Sequence, residues 1–501
     1  MTDTKYTATK STTERAIVIG GGISGLLAAK VLSEYYGEIL VIDRDALPDL
    51  PENRPGTPQA FQPHRLSPRG SLILNRLFPG LTEELLTNGA PSSQGRASYL
   101  INPYGNMVTV NPQQEALFSR ALLEWALRRR VQMIPHVHFL ARTDVLGFYP
   151  TPDRSQIIGV QIQERGSAQA QVNPITSDLV IDCSGRSSKA VQWLTELGYD
   201  VPEPELLRVS LGYSTRHYKI PSDKADQWNV LRSEGDPARG TYTAVLSVIE
   251  NNIAEMTLWG LGGRYPATNA EQFEREVAQL ANPIFMERLQ ELEPVSSPRG
   301  YRVPELTRQH FEQMRRWPSG LLVMGDAFAQ FDPIYGQGMT VAAIEAEILA
   351  ACLSQQQLRP RSDFELSVLQ RMQDTIEPAW WLNGVADLRW PGVEHVGPEP
   401  LKGLTFAQRY FEFILRHSTE QTDYQLHGLY WLVNSLYLSP SELFNPHLVS
   451  SLLADGSDAG KQLLYELAAG SDRSIEELLE HNMPSFERAA FATMDQLMQQ
   501  P

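Results

Sequence analysis

Residues Ala16 to Asp43 constrain this chain more than any other stretch. Ala16, Ile17, Val18 and Ile19 form a short apolar run that enters Gly20, Gly21, Gly22, Ile23, Ser24 and Gly25. Apolar residues then recur at helical spacing through Leu26, Leu27, Val31 and Leu32, and a second run from Glu38 to Ile42 ends on Asp43. Strand, glycine turn, helix and acid-terminated strand in that order make a parallel βαβ unit for a dinucleotide. Gly20 permits the tight turn, Gly22 lets the backbone approach a pyrophosphate, Gly25 lets helix and strand pack closely, and Asp43 can accept bonds from both ribose hydroxyls. The competing reading is a strand-to-helix turn without a ligand, and the motif alone does not separate FAD from NAD.

A second unit lies at Gly320 to Ala350. Leu321, Leu322, Val323 and Met324 read as a buried strand, Gly325-Asp326 as an acidic turn, and Pro333, Gly336 and Gly338 as a glycine-rich loop before a helix starting near Thr340. A carboxylate at the strand end and free amides at the helix start can hold a ribityl hydroxyl through Asp326 while the positive helix end faces an electron-rich ring. Between these units a third strand, Leu179 to Asp182, runs into Cys183, Ser184, Gly185, Arg186, Ser187 and Ser188. Cys183 reads as a small buried residue rather than a redox group.

The fold class that follows is α/β: a discontinuous Rossmann-like nucleotide-binding domain, an antiparallel β-sheet substrate domain and a helical C-terminal region. Residues 1–14 are expected as a disordered tail, 15–200 and 301–360 as the two parts of the nucleotide domain, 201–300 as the β-rich domain and 361–501 as the helical region. Six prolines between Leu47 and Gly70 exclude regular structure there and leave an extended, functional loop around Arg54, His64 and Arg65. Asn111, with Pro112 and Gln114 behind it, is expected to cap a helix that contains Arg120. Alternation in Ser210 to His217, Tyr242 to Ile249 and Ala254 to Gly260 predicts a sheet with one covered face. Gly260, Gly262 and Gly263 precede Arg264, Tyr265 and Pro266 and cannot open a helix, so no second nucleotide domain is expected.

Composition narrows the function. The 501 residues carry 43 basic and 59 acidic side chains, a net charge of −16, which argues against nucleic acid as a partner. Two cysteines exclude a disulfide framework and point to a reducing, cytoplasmic setting. No metal site is expected, since HExxH, paired CxxC and GxSxG patterns are absent. Glu345 and Glu347 interrupt the best apolar run, so no transmembrane segment is expected. Leu429 to Leu438 reads as a packing face, with peripheral membrane contact as the alternative.

GGGISG, DCSGRSS and GDAFAQFDPIYGQGM together resemble the flavoprotein monooxygenases that carry FAD on a single-domain scaffold, the para-hydroxybenzoate hydroxylase-like group. RPGTPQ, SSKAVQWLTELGY, GYSTRHY and PIYGQGMTVAA are similar to its branch of flavin epoxidases and polyprenylphenol-type hydroxylases. The resemblance implies that the Ile23 and Ser24 amides hold the FAD pyrophosphate, with Gly20, Gly22 and Gly25 shaping the loop. It further implies that Asp43 binds the adenosine ribose, Arg44 flanks it and Arg120 approaches the pyrophosphate. Asp182 and Gly185 belong to the middle motif, Gly325 and Asp326 to the ribityl chain, and Pro333, Gly336, Gly338 and Met339 to the pyrimidine edge. The middle motif departs from the Asp-Gly of aromatic hydroxylases, which weakens the case for an aromatic substrate and for a given NAD(P)H docking mode.

The expected reaction inserts one atom of O2 into a largely apolar small molecule, by hydroxylation or epoxidation through a flavin C4a-(hydro)peroxide. Electrons would come from NAD(P)H docking transiently or from a partner reductase. The rivals are a FAD-dependent reductase or desaturase of a prenyl-type substrate, a flavin-dependent halogenase and a non-enzymatic flavin-bound protein. Against halogenation stands the lack of lysine between Lys30 and Lys189. His64, Tyr213 and Tyr335 are the candidate catalytic residues, Arg216 a candidate substrate contact, and Phe328, Phe331 and Tyr335 the expected wall between flavin and substrate.

Overall fold

The computed structural model describes residues 11–111, 114–166, 171–227, 230–454, 456–468, 473–486 and 491. Its centre is a five-stranded parallel sheet in the spatial order Leu321–Val323, Leu179–Asp182, Ser11–Ile19, Tyr36–Ile42, Val137–Leu140. Numbered along the chain, these strands run 3-2-1-4-5, the doubly wound order whose direction reverses between Ser11–Ile19 and Leu179–Asp182. Ligands sit at the carboxyl ends of the strands beside that reversal. Here those ends are Gly20, Asp43, Cys183 and Met324.

The first strand begins earlier than the sequence pattern suggests. Residues 11–14, expected within a disordered tail, extend it to Ser11, which pairs with Tyr36 across an irregularity before Arg15. Backbone pairing to the neighbouring strand supplies what the polar side chains do not signal; residues 1–10 lie outside the described residues. At the turn, Gly20 adopts φ +99°, and a Cβ there would meet the Cys183 carbonyl oxygen at 2.6 Å. A Cβ on Gly25 would come within 1.8 Å of the Gly20 carbonyl oxygen, so helix and strand approach as closely as the motif requires.

Helix Gly338–Leu358 runs through the core against helices Ile23–Leu32, Pro68–Leu77 and Phe364–Asp387. Residues Thr340 to Leu353 are buried without a break, Glu345 and Glu347 among them. By length and composition this helix is apolar enough to cross a membrane, unlike the sequence expectation, but 78% of its apolar window is buried inside the protein. Glu347 meets Arg69 at 3.1 Å and Arg76 at 2.6 Å, which neutralises it within that core.

The second layer is an eight-stranded sheet in which Thr243–Ile249 and Ile253–Gly260 form a hairpin over the turn Glu250–Asn252. It reaches beyond the expected stretch of chain. Strands Ala97–Asn102 and Gly105–Val110 join it through a parallel pairing of Ala97–Asn102 with Val230–Ser233, and the remaining pairs are antiparallel. Helices Leu404–Glu420, Tyr424–Asn434, Asp458–Ala468 and Ile475–Asn482 make up much of the C-terminal region. The helix expected from Asn111 starts instead at Arg120, with Ser119 as its cap accepting from Leu122 N at 3.1 Å. Asn111 is bonded to the Ser93 hydroxyl at 2.9 Å, and Pro112 lies outside the described residues.

Candidate active site

A cavity of about 1020 Å3 runs from the strand ends of the parallel sheet to the face of the eight-stranded sheet. Its wall contains Gly20, Gly22, Ile23, Ser24, Asp43, Arg44, Arg120, Gly185, Gly325, Asp326, Pro333, Gly336, Gly338 and Met339. His64, Tyr213, Phe331 and Tyr335 line it too. Segments from four distant parts of the chain thus meet around one space.

At one end the glycine loop faces two guanidinium groups. A Cβ built on Gly22 would meet nothing closer than Arg54 Nη2 at 3.8 Å and Arg120 Nη2 at 3.9 Å. Both arginines are held by Glu124, which accepts from Arg54 Nε at 2.6 Å and from Arg120 Nη1 at 2.6 Å. Burial pushes the Glu124 carboxyl up, but Arg120 and Arg54 more than offset this and hold it below its ordinary range. Ser24 Oγ is buried on the loop against Gly325, where a Cβ would meet it at 2.8 Å. An open glycine loop and two pinned cations make a cradle that fits a pyrophosphate. Asp43 accepts from Gly21 N at 2.7 Å and from Asp45 N at 2.8 Å, which fixes its carboxylate at the cavity edge.

At the other end Asp326 follows Gly325, whose N–H donates to Glu345 Oε2 at 2.7 Å. Burial raises the Asp326 carboxyl, while Arg186 and Arg120 act to lower it. A Cβ on Gly338 would lie 4.0 Å from Asp326 Oδ1, so the carboxylate stands beside the start of the long helix. That juxtaposition fits a ribityl chain under Asp326 and the flavin ring along Pro333 to Met339. Pro333 to Tyr335 form a single turn capped by Asp332, which accepts from Ile334 N at 2.8 Å. Tyr335 donates to Asp387 Oδ1 at 2.8 Å. Asp332 and Asp387 are both fully buried, and burial raises both carboxyls, so the pair holds a proton.

His64 Nδ1 lies 2.8 Å from the Gln62 carbonyl oxygen. A carbonyl only accepts, so Nδ1 carries the proton and Nε2 keeps its lone pair. Burial, with Arg120 nearby, lowers this histidine to about 4.

Several expected residues sit elsewhere. Asp182 does not line the cavity; it is fully buried and accepts from Ser184 N at 2.9 Å, Ser184 Oγ at 2.6 Å and Ser188 Oγ at 2.7 Å, shaping the DCSGRSS turn from beneath. Gly25 lies behind the loop as a packing residue. Phe328 is fully buried, packing on Phe311 at 5.6 Å between ring centroids, and takes no part in the wall. Arg216 pairs with Glu274 and bonds the Ser296 carbonyl at 3.0 Å, away from the cavity. Conversely, Arg54, Glu124, Arg232 and Trp259 were not assigned from sequence. Arg54 stands in the proline-rich loop among RPGTPQ, which was the one local signal for it.

The family described as FAD binding domain matches residues 13–358. A relative, Protein Rv3254 of Mycobacterium tuberculosis, is 29% identical over 399 residues, covering 77% of this chain and 82% of its own length. A flavoprotein/dehydrogenase from Cytophaga hutchinsonii is similar in structure at 14% identity and TM-score 0.60, over 91% of this chain and 100% of that one. The myxobacterial chondrochloren halogenase CndH is similar at 16% identity and TM-score 0.55, over 97% of this chain and 96% of its own. The flavin-dependent brominase Bmp2 is similar at 14% identity and TM-score 0.58, over 91% and 98%. At these identities the structural likeness is one of fold. The family match spans most of the chain and the cradle fits the cofactor: the chain belongs to the FAD binding domain family of para-hydroxybenzoate hydroxylase-like flavoproteins and is an FAD-dependent oxidoreductase.

Proposed function

We propose that this protein is a monooxygenase that inserts one oxygen atom from O2 into a small organic molecule. The observation that carries the reading is the single cavity shared by the glycine loop, Asp326, the Pro333 to Met339 loop and the sheet face. Bound FAD, once reduced, supplies the activation of O2. The chain's own residues do the rest. Arg54, Arg120 and the glycine-loop amides bind the pyrophosphate, and Asp326 orients the ribityl end. The amides at the start of helix Gly338–Leu358 favour negative charge at the adjoining ring edge. Phe331, Tyr213 and Trp259 limit water at the sheet side. His64 Nε2 offers a neutral base at pH 7, and the Asp332–Asp387 pair behind Tyr335 stores a proton near the same loop. NAD(P)H or a partner reductase is the electron source in this reading.

Purified holoprotein, reduced anaerobically and then given air and candidate substrates, is expected to turn over only after oxygen arrives. Equal turnover without oxygen would replace the reading with a reductase or desaturase. Halogenation is the second reading, favoured by the fold shared with CndH and Bmp2. Lys189, the cavity's lysine, is exposed. Bromide or chloride added to the same assay yields a halogenated product only if that second reading holds.

A further inference from the structure

The sheet wall of the cavity is less apolar than its aromatic content suggests. Cross-strand register aligns Tyr213, Trp259 and Thr243 in one row, and Thr215, Thr257, Val245, Arg232 and Leu100 in the next on the same face. Thr215 and Thr257 bond each other at 2.6 Å, and Thr215 also bonds Gln62 of the proline-rich loop, so this part of the wall is closed and satisfied.

Three cavity-lining side chains are not satisfied. Trp259 Nε1, Arg232 Nε and Arg65 Nη1 are buried and have no hydrogen-bond partner among the described residues. Every one of these atoms is an N–H donor, and two belong to permanent cations. The other buried side-chain atom of the cavity in this state among the described residues is Ser24 Oγ, which belongs to the glycine loop at the cofactor cradle; no carboxylate or amide of the lining is in it. Each cationic head is anchored through one nitrogen: Arg65 Nη2 donates to the Val248 carbonyl at 3.3 Å and Arg232 Nη1 to the Ile334 carbonyl at 3.0 Å. Arg232 also stands over the Trp431 ring, 5.4 Å from its centroid. Buried donors are almost always paired, so three exceptions of one polarity lining one cavity describe the polarity of the missing partner.

Their spacing describes its shape. Trp259 pairs with Thr243, Arg232 pairs with Val245, and Arg65 bonds Val248, so the donors stand at successive levels along one strand. The five steps from Thr243 to Val248 span roughly 17 Å. Tyr213 and Tyr301, 5.5 Å apart between ring centroids, and Trp431 supply flat surfaces along that length.

We infer that the substrate is an elongated, oxygen-rich acid whose anionic group docks on Arg65 and Arg232 and whose neutral oxygen acceptor meets the Trp259 N–H. This rests on the oxygenase reading only in calling the ligand a substrate. It replaces the expectation of a largely apolar molecule with one that is flat and apolar in body but charged at the arginine end. Burial is the largest influence on Arg65 and pushes its guanidinium down, while Glu255, Glu250 and Glu115 act to raise it, and a docked anion would act in the same sense as these three.

The test uses oxidised holoprotein and no turnover, following flavin absorbance changes and tryptophan quenching as ligand is added. The probes are anthraquinone-2-carboxylate, its methyl ester and anthracene-2-carboxylate. The quinone acid is expected to bind saturably, with the ester at least about tenfold weaker, because a hydrogen bond to a charged group carries that much discrimination. Arg65→Gln and Arg232→Gln are each expected to close the gap between acid and ester. Trp259→Phe, which removes only the indole N–H and some bulk, is expected to close the gap between the quinone acid and the anthracene acid. Retained FAD in each variant reports folding, and Trp259→Phe carries the test if an arginine variant loses FAD. Ester binding as tight as acid, no binding by the quinone acid, or unchanged affinities in all three variants would overturn the inference. Tight acid binding without oxygenation would leave the ligand class standing and remove the proposed reaction, so the two failures are distinguishable.

Discussion

At the scale of single residues, the site depends on carboxylates that hold other groups in place. Glu124 is nearly fully buried and touches three arginines, Arg54, Arg120 and Arg128. Removing one member of such a cluster leaves buried charge without compensation, which costs about 3–5 kcal/mol. Glu124→Ala is therefore expected to lower stability by that order and to weaken FAD binding, as read by denaturant unfolding and by flavin released on dilution. Asp326→Ala is expected to lose FAD by roughly ten- to hundredfold in affinity, the worth of hydrogen bonds to a charged group; full flavin content in that variant would remove Asp326 from the site. His64→Ala is expected to retain FAD and change the rate of flavin reduction or product yield, because the ring lines the cavity without supporting the cradle. His64 and Asp326 were legible in the sequence, one from its loop and the other from its strand end. Glu124 was legible only in part: Arg120 and Arg128 flank it at i,i+4 spacing on its own helix, but nothing local marks Arg54, which reaches it from the proline-rich loop.

At the scale of elements, helix Gly338–Leu358 ties the two halves of the site. Its Glu345 is fully buried and accepts the Gly325 N–H, so the helix positions the Gly325-Asp326 turn directly. Burial raises Glu345 from 4.5 to about 8. The folded chain therefore keeps a proton that the unfolded chain releases near 4.5, and the associated stabilisation is complete below that pH and lost as pH rises through about 8. Stability and FAD retention are expected to fall across that window, and Glu345→Gln, which keeps an acceptor for Gly325 without titrating, is expected to flatten the decline. An unchanged pH profile in Glu345→Gln would assign the fall to other groups. The helix and the βαβ unit were readable because their signals are local: periodic apolar residues, glycine turns and terminal acids. The start of the Arg120 helix was misplaced because Asn111 offers an equally good local cap, and only tertiary contacts favour Ser119. The hairpin Ala97–Asn102 and Gly105–Val110 is local, but its membership of the large sheet was not legible because the strand that joins it there, Val230–Ser233, lies far along the chain.

At the scale of the whole molecule, a doubly wound sheet supplies the cofactor cradle, an eight-stranded sheet supplies the facing wall, and one long helix and one proline-rich loop join them. The order of motifs along the chain made this architecture legible, since each strand end announces itself by glycine and acid. The chemistry of the facing wall was not legible, because its polarity depends on which side chains share a face and which donors remain unpaired. For a monooxygenase built this way, O2 is the source of an oxygen atom in the product. Reduced holoprotein mixed with 18O2 and a bound acid substrate is expected to give product carrying one 18O atom, with the second atom in water. Product that carries oxygen only from water, or that carries none, would contradict it.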